Sequence, residues 1–167
     1  VKVPIQECWD VTGKGPLDIR WIDINKGDDL DEELRCRLVA KEIKKYQDET
    51  LFAATPPLEA MKLVIGVAAS RSWDIIHMDV RRAYFHAKSR REVYVELPPE
   101  DCEEGMCGRL NRSMYGTRDA AQNWEHHYAS VMEKLGFTRG AAVPCLFPHE
   151  VKQLRVAIHG DDFTILG

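Results

Sequence analysis

Long apolar runs are missing from this sequence. A helix that crosses a bilayer needs about 20 consecutive apolar residues, and the 167 residues contain no run of that length. We therefore expect no membrane partner. The chain begins at Val1, without a methionine or a signal peptide pattern, and such a start predicts an internal piece of a longer protein.

Cysteine and histidine form no metal-binding motif. The five cysteines are scattered, and even the nearest pair, Cys102 and Cys107, has a spacing that fits no zinc pattern. An odd number of unpatterned cysteines favours reduced thiols over a disulfide framework. The expected location is therefore intracellular, with the compartment left open.

The chain also lacks an excess of positive charge. Its formal net charge is -4 and its pI is near 5.9, which excludes a general electrostatic attraction to nucleic acid. A polyanion would have to be held by a local basic surface or through bound cations. The balance of 44% hydrophobic and 30% charged residues is that of an ordinary globular domain.

The sequence does contain alternating strand-like and helix-like segments. Apolar residues with a period of 2 predict strands, and those with a period of 3.6 predict helices. We predict strands over residues 18–24, 34–41, 73–80, 92–97, 106–110 and 143–147, helices over 57–72 and 118–135, and a hairpin over 154–166. This order is typical of an α+β fold with one largely antiparallel sheet and the helices packed on one face.

Each predicted helix carries an apolar face. The first is expected to be a core helix with Leu58, Met61, Ile65 and Ala68 at helical spacing. The second carries Trp124, Tyr128, Val131 and Leu135 on one face. Both faces are expected to be buried against the sheet.

The hairpin carries two adjacent acids at its turn. Gly160 suits a tight turn between two strands. Asp161 and Asp162 follow it, and neighbouring carboxylates repel each other unless a cation neutralises them. A solvated turn is the alternative for this pair alone. Asp79 lies near the end of the predicted strand 73–80, where an aspartate either caps the next segment or serves a functional site.

Three carboxylates on neighbouring strands would favour the functional interpretation. Asp79, Asp161 and Asp162 together can bind two divalent cations, which align an attacking hydroxyl with a phosphate and stabilise the entering and leaving oxygens. Two Mg²⁺ ions fit, because Mg²⁺ prefers oxygen ligands, and Mn²⁺ is a further candidate.

The ordered motifs resemble the reverse transcriptase domain of copia-type LTR retrotransposons, from about Leu34 to Gly167. The similar segments are RCRLVAK (35–41), DETLFA (48–53), HMDV (77–80) with AYF (83–85), EVYVELPP (92–99), SMYG (113–116) with Trp124, and HGDD (159–162). The resemblance implies a fingers–palm polymerase fragment. Residues 1–33 would be an N-terminal extension or the start of the fingers, and residues 34–167 would be the fingers and palm, truncated after the Asp-Asp hairpin.

The resemblance also implies roles at the hairpin. Asp79, Asp161 and Asp162 would be the catalytic, metal-binding carboxylates, and the backbone carbonyl of Val80 would touch the metal bound to the incoming triphosphate. Tyr84 stands where the family has an aromatic steric gate, which would exclude a ribose 2′-hydroxyl.

Further positions would contact the substrates by resemblance. Arg37, with Arg35 or Lys41, would contact the triphosphate, although a solvated edge strand is the alternative for these cations. Gly116 and Arg118 would support the nucleotide and template. The implied partners are an RNA or DNA template–primer, a deoxynucleoside triphosphate, and the thumb and RNase H segments of a larger polyprotein.

Two other functions are compatible with some of these residues. A catalytically inactive remnant would bind nucleic acid through the basic residues Arg35, Arg37, Arg81 and Arg82. A two-metal phosphohydrolase would need further ligands such as a histidine-rich motif, and the sequence arranges none.

Overall fold

The structure is a computed structural model that describes residues 1–28, 30–43 and 53–167. Residues 48–52 of the DETLFA segment lie outside this described part. The described residues form nine strands: β1 (Lys2–Pro4), β2 (Ile19–Asn25), β3 (Leu34–Ala40), β4 (Ile75–Asp79), β5 (Tyr94–Val95), β6 (Met106–Arg109), β7 (Leu146–His149), β8 (Leu154–His159) and β9 (Asp162–Leu166). They also form α1 (Ile5–Thr12), α2 (Leu58–Ser70), α3 (Ala120–Lys134) and short 3-10 helices at Ala83–His86 and Pro99–Asp101.

The α+β class is confirmed, but the expected single sheet is wrong. The strands divide into three antiparallel sheets with the orders β1-β6-β5, β2-β3 and β4-β9-β8-β7. Alternation along a strand shows which residues share a face, but it does not identify the strand that pairs with it. The sequence pattern therefore located most strands without assigning them to their sheets.

The N-terminal residues contain two elements that the pattern did not predict. β1 pairs with β6, and α1 follows directly and is capped at its C-terminus by Gly13, whose φ is +66°. The buried side chains of Val3, Cys8, Tyr94 and Cys107 form the small core of this sheet. A three-residue strand and an eight-residue helix are too short for a periodic pattern to stand out.

The largest core lies between α3 and one face of the four-stranded sheet. Trp124, Tyr128 and Met132 of α3 pack with Phe147 of β7 and Phe163 of β9. Val131 and Leu135, which were expected on the buried face, are exposed instead. The helix is therefore predicted correctly in its extent, while its buried face is rotated toward Met132.

The helices do not all cover one face of one sheet. The core residue Cys8 places α1 against the three-stranded sheet, whereas α3 covers the four-stranded sheet. Within α2 only Ala68 is buried, while Leu58 and Ile65 are exposed, so the prediction of a core helix is wrong for the described residues. No helix in the described ranges is long and apolar enough to span a membrane.

Candidate active site

The β8–β9 hairpin brings two of the three carboxylates into register. Asp162 pairs with Asp79 of β4 on one side and with His159 of β8 on the other. Residues directly opposite each other in an antiparallel pair project from the same face, with their Cβ atoms about 5 Å apart. The side chains of Asp79 and Asp162 therefore emerge together from the same end of the sheet, and both are exposed to solvent.

The third carboxylate belongs to a two-residue turn. Gly160 and Asp161 connect His159 to Asp162, and Gly160 has a φ of +64° while Asp161 is not in the left-handed region. A positive φ at the first turn position alone is the pattern of a type II′ turn, which matches the twist of hairpin strands and favours glycine there. The backbone N–H of Val80 donates to the carbonyl of Asp161 at 2.9 Å, which ties the turn to the end of β4.

Two tyrosines lie beside these carboxylates. The ring centroids of Tyr84 and Tyr115 are 4.7 Å apart. Burial raises the pKa of Tyr84, and the charge of Asp161 raises it further. Burial likewise raises the pKa of Tyr115, and Asp161, Tyr84 and Asp79 add to that effect. Asp161 therefore lies close enough to both rings to affect their ionisation, and Asp79 lies close enough to affect that of Tyr115.

Arg37 of β3 reaches the same cluster from another sheet. Its guanidinium carbon lies 5.6 Å from the centroid of the Tyr115 ring, which is cation–π distance, and its charge opposes the rise in the pKa of Tyr115. The structure thus assembles Asp79, Asp161, Tyr84 and Arg37 around Tyr115. The role of Tyr115 was not predicted, because it was quoted only as part of the SMYG segment.

The other two cations of the β3 region have acidic neighbours. Arg35 donates to Glu33 at 3.3 Å, and Lys41 lies 3.7 Å from Asp18. Both side chains are about half exposed, so these are surface ion pairs of small energetic weight. Of the three candidates for triphosphate contact, Arg37 is the one that the fold directs toward the tyrosine cluster.

Gly116 connects the tyrosine cluster to the end of β3. Its φ is +86°, and a Cβ at this position would stand 1.9 Å from the carbonyl oxygen of Ala40. The neighbouring Tyr115 carbonyl accepts the N–H of Ala40 at 2.8 Å. Only glycine fits such a close approach of two backbones. Arg118 lies nearby, and its backbone N–H donates to Glu42 at 2.8 Å.

The sequence comparison identifies the family. Residues 7–167 match the family described as Reverse transcriptase (RNA-dependent DNA polymerase). The chain belongs to this family. The match starts well before Leu34, the residue at which the motif resemblance was expected to begin. No solved structure gives a significant match to this chain.

Curated relatives are transposon polyproteins. The chain is 28% identical to the Retrovirus-related Pol polyprotein from transposon TNT 1-94 of Nicotiana tabacum over 93% of its own length, and 26% identical to that from transposon RE2 of Arabidopsis thaliana over 95%. It spans about 12% of each of these relatives. The Transposon Ty1-MR1 Gag-Pol polyprotein of Saccharomyces cerevisiae is 24% identical over 64% of the chain and 6% of the relative. These relatives confirm the copia-type resemblance.

The donor atoms of the hairpin suit the metal that this family implies. Carboxylate oxygens and a backbone carbonyl are the ligands that Mg²⁺ prefers, and Mg²⁺ is usually held by one or two carboxylates together with substrate phosphates. Within the described ranges, however, no three His, Cys, Asp or Glu side chains are gathered so that they could hold a metal ion. The chemistry of these donors fits the metal.

A partly buried ionic network near Gly116 was not predicted. Arg91 donates to Glu42 through two hydrogen bonds, one of them 2.8 Å long, and to Asp119 at 2.9 Å. Asp119 also accepts from Asn123 at 2.8 Å. Burial alone would raise the pKa of Asp119, but the hydrogen bonds from Arg91 and Asn123 hold it below its ordinary value. These contacts join the segment after β3 to the start of α3.

The sequence gives only a weak indication of this ionic network. Asp119 lies directly before the first residue of α3. An acid directly before a helix is a common cap, yet its side chain makes no capping hydrogen bond here. Its partner Arg91 is 28 residues away, and such a distant pair leaves no local pattern.

Proposed function

We propose that this chain carries the nucleotide-binding and metal-binding part of an RNA-directed DNA polymerase. In this reaction the 3′-hydroxyl oxygen of a primer attacks the α-phosphorus of a deoxynucleoside triphosphate and loses its proton. A bond forms from the oxygen to the α-phosphorus, the bond from the α-phosphorus to the β-phosphate breaks, and pyrophosphate leaves. The observation that supports the proposal is the cluster of Asp79, Asp161, Tyr84 and Arg37 around Tyr115 in a chain of this family.

The proposal assigns a role to the residues of this cluster and to their neighbours at the hairpin. Asp79, Asp161 and Asp162, with the carbonyl of Val80, would hold two Mg²⁺ ions, which supply charge stabilisation at the entering and leaving oxygens. Arg37 offers a permanent cation for the triphosphate. Tyr84 offers a ring edge against the sugar, and its contact with Tyr115 keeps that ring in place.

Sugar discrimination tests the proposal. The purified chain is titrated with a deoxynucleoside triphosphate and with the matching ribonucleoside triphosphate in the presence of Mg²⁺, and the two dissociation constants are compared. The unmodified chain is expected to bind the deoxynucleotide more tightly, and Tyr84→Ala to reduce the difference by about tenfold. Equal affinity for the two sugars in the unmodified chain would contradict the proposal.

Tyr128→Phe is the matched control for this titration. Tyr128 is a tyrosine of the α3 core, 5% exposed, and it contacts Phe147 and Phe163. Its substitution is expected to leave the preference for deoxynucleotides unchanged.

The nucleic-acid-binding remnant is the weaker alternative. Arg35 pairs with Glu33, and Arg37 lies over Tyr115, so two of the four cations that this alternative uses already have partners within the chain. The remnant hypothesis would be favoured if template–primer bound the chain while neither Mg²⁺ nor Mn²⁺ did.

A further inference from the structure

The turn that carries Asp161 is held from two sides. The indole N–H of Trp124 donates to the carbonyl of Gly160 at 2.7 Å, and the N–H of Val80 donates to the carbonyl of Asp161 at 2.9 Å. These two carbonyls belong to the peptide groups that flank the Cα of Asp161. Peptide groups are planar, so fixing both of them fixes the direction in which the Asp161 side chain leaves the backbone.

Packing does not confine the tip of this turn. A Cβ placed on Gly160 would meet no atom within 4 Å, and Asp161 and Asp162 are exposed. The orientation of the peptide between Gly160 and Asp161 therefore depends on hydrogen bonding. Gly160 and Asp161 lie outside the strand ladder, so few other contacts restrain them.

Trp124 is itself rigid. It is only 5% exposed, its ring stacks on His127 with centroids 5.6 Å apart, and it meets Tyr128 and Phe163 edge-on at 5.6 and 6.4 Å. A ring held on several sides presents its N–H at a fixed point, and hydrogen bonding then costs little further entropy. Because Phe163 directly follows Asp162, Trp124 contacts both the turn and the start of β9.

We propose that Trp124 is a positioning residue for Asp161. Its indole N–H, held by the aromatic core of α3, orients the peptide group before Asp161 and so sets the carboxylate for divalent metal. This inference rests on the proposed function, since it gives Asp161 a metal to bind. An ordinary core role for Trp124 would require the ring but not the N–H, and this difference can be measured.

The experiment compares Trp124→Phe with the unmodified chain by NMR. Phenylalanine keeps an aromatic ring in the core but has no N–H. The amide signals of Asp161 and Asp162 are recorded first, and Mg²⁺ is then titrated to obtain its dissociation constant. Phe147→Leu is the matched control, because Phe147 is fully buried in the same aromatic core and makes no hydrogen bond to the turn.

The expected result separates the two substitutions. Trp124→Phe should shift the Asp161 amide signal and weaken Mg²⁺ binding by about tenfold, the size typical of groups that orient a metal ligand. Phe147→Leu should lower thermal stability about as much as Trp124→Phe does, while leaving both the Asp161 amide signal and the Mg²⁺ affinity unchanged. Equal Mg²⁺ affinities in Trp124→Phe and the unmodified chain would overturn the inference.

The unmodified chain provides a second measurement in case Trp124→Phe does not fold. The indole N–H signal of Trp124 should exchange slowly with solvent and move during the Mg²⁺ titration with the same midpoint as the Asp161 amide. A fast-exchanging or unresponsive indole signal would contradict the positioning role.

Failure of the proposed function gives a different pattern. If the unmodified chain binds no Mg²⁺, the proposed function fails, and the positioning role is then judged from the Asp161 amide alone. The Asp161 amide signal is expected to move in Trp124→Phe and to stay in place in Phe147→Leu. If Trp124→Phe does not fold, the exchange rate of the Trp124 indole N–H in the unmodified chain decides instead. If the unmodified chain binds no Mg²⁺, an Asp161 amide signal that is unchanged by Trp124→Phe would contradict the positioning role.

Discussion

Single residues at the site differ in how far the sequence determines them. Asp79, Asp161 and Asp162 are predicted from a motif, and the strand register brings Asp79 and Asp162 together. Tyr115 could not be found in this way, because it contacts Arg37, which lies far away in the sequence on β3. A sequence motif identifies residues that are close together along the chain. The cluster around Tyr115 instead brings together residues that are far apart in the sequence.

Gly116→Ala should destabilise the chain more than an ordinary turn glycine would. Alanine with φ near +86° costs about 1–2 kcal/mol, and its Cβ would also overlap the carbonyl of Ala40. Gly105→Ala is the control, since Gly105 has a φ of +73° but no atom within 4 Å of the added Cβ. Urea unfolding should give a loss for Gly116→Ala that exceeds the loss for Gly105→Ala by at least about 1 kcal/mol. Equal losses would show that the close approach to Ala40 does not exist.

Asp161→Asn should lower the pKa of Tyr84 and Tyr115. The negative charge of Asp161 opposes ionisation of both phenols, and removing it makes the phenolate less unfavourable. NMR titration with labelled tyrosine rings measures both values. Asp74→Asn, at the other end of β4, is the control and should leave them unchanged. Unchanged values in Asp161→Asn would mean that its carboxylate does not face the tyrosines.

At the scale of elements, long periodic segments were predictable and pairing was not. The predicted helix 118–135 corresponds to α3, and the predicted hairpin corresponds to β8 and β9. β1 and α1 were missed because they are short. The apolar face of α2 was expected to be buried, yet Ile65 is exposed, and Ile75 and Met78 of β4 are exposed as well. An apolar pattern identifies a face without supplying a partner for it.

The Arg91 network should make stability depend on pH in the acid range. The pKa of Asp119 is lower in the folded chain than its ordinary value of 3.8, so its contribution is fully present above that value and is lost as the pH falls through the folded pKa. Asp119→Asn should therefore lower the free energy of unfolding at neutral pH by about 2 kcal/mol. The difference from the unmodified chain should shrink below pH 3.8.

Denaturant unfolding at several pH values checks this expectation. Asp101→Asn is the control, because Asp101 pairs with Lys2 at 2.7 Å on the surface with 61% of its side chain exposed. Such a pair stabilises little, so this variant should behave like the unmodified chain. A difference between Asp119→Asn and the unmodified chain that stays constant down to pH 2 would contradict the assigned network.

At the scale of the whole molecule, two of the three sheets supply the candidate cluster. β3 supplies Arg37, β4 supplies Asp79 and the β8–β9 hairpin supplies Asp161 and Asp162. With a net charge of -4, the overall composition did not indicate this family, because the positive charge of Arg37 beside Tyr115 is local. Family membership and this convergence together support the proposed nucleotidyl transfer.

The most direct measurement of the central claim is the Mg²⁺ dependence of deoxynucleotide binding. The dissociation constant of a deoxynucleoside triphosphate is measured with Mg²⁺ and with EDTA for the unmodified chain, for Asp161→Asn and for Asp74→Asn. The account predicts that Mg²⁺ tightens binding at least about tenfold in the unmodified chain and in Asp74→Asn, and that this gain disappears in Asp161→Asn. The same Mg²⁺ gain in all three proteins, or none in the unmodified chain, would contradict it.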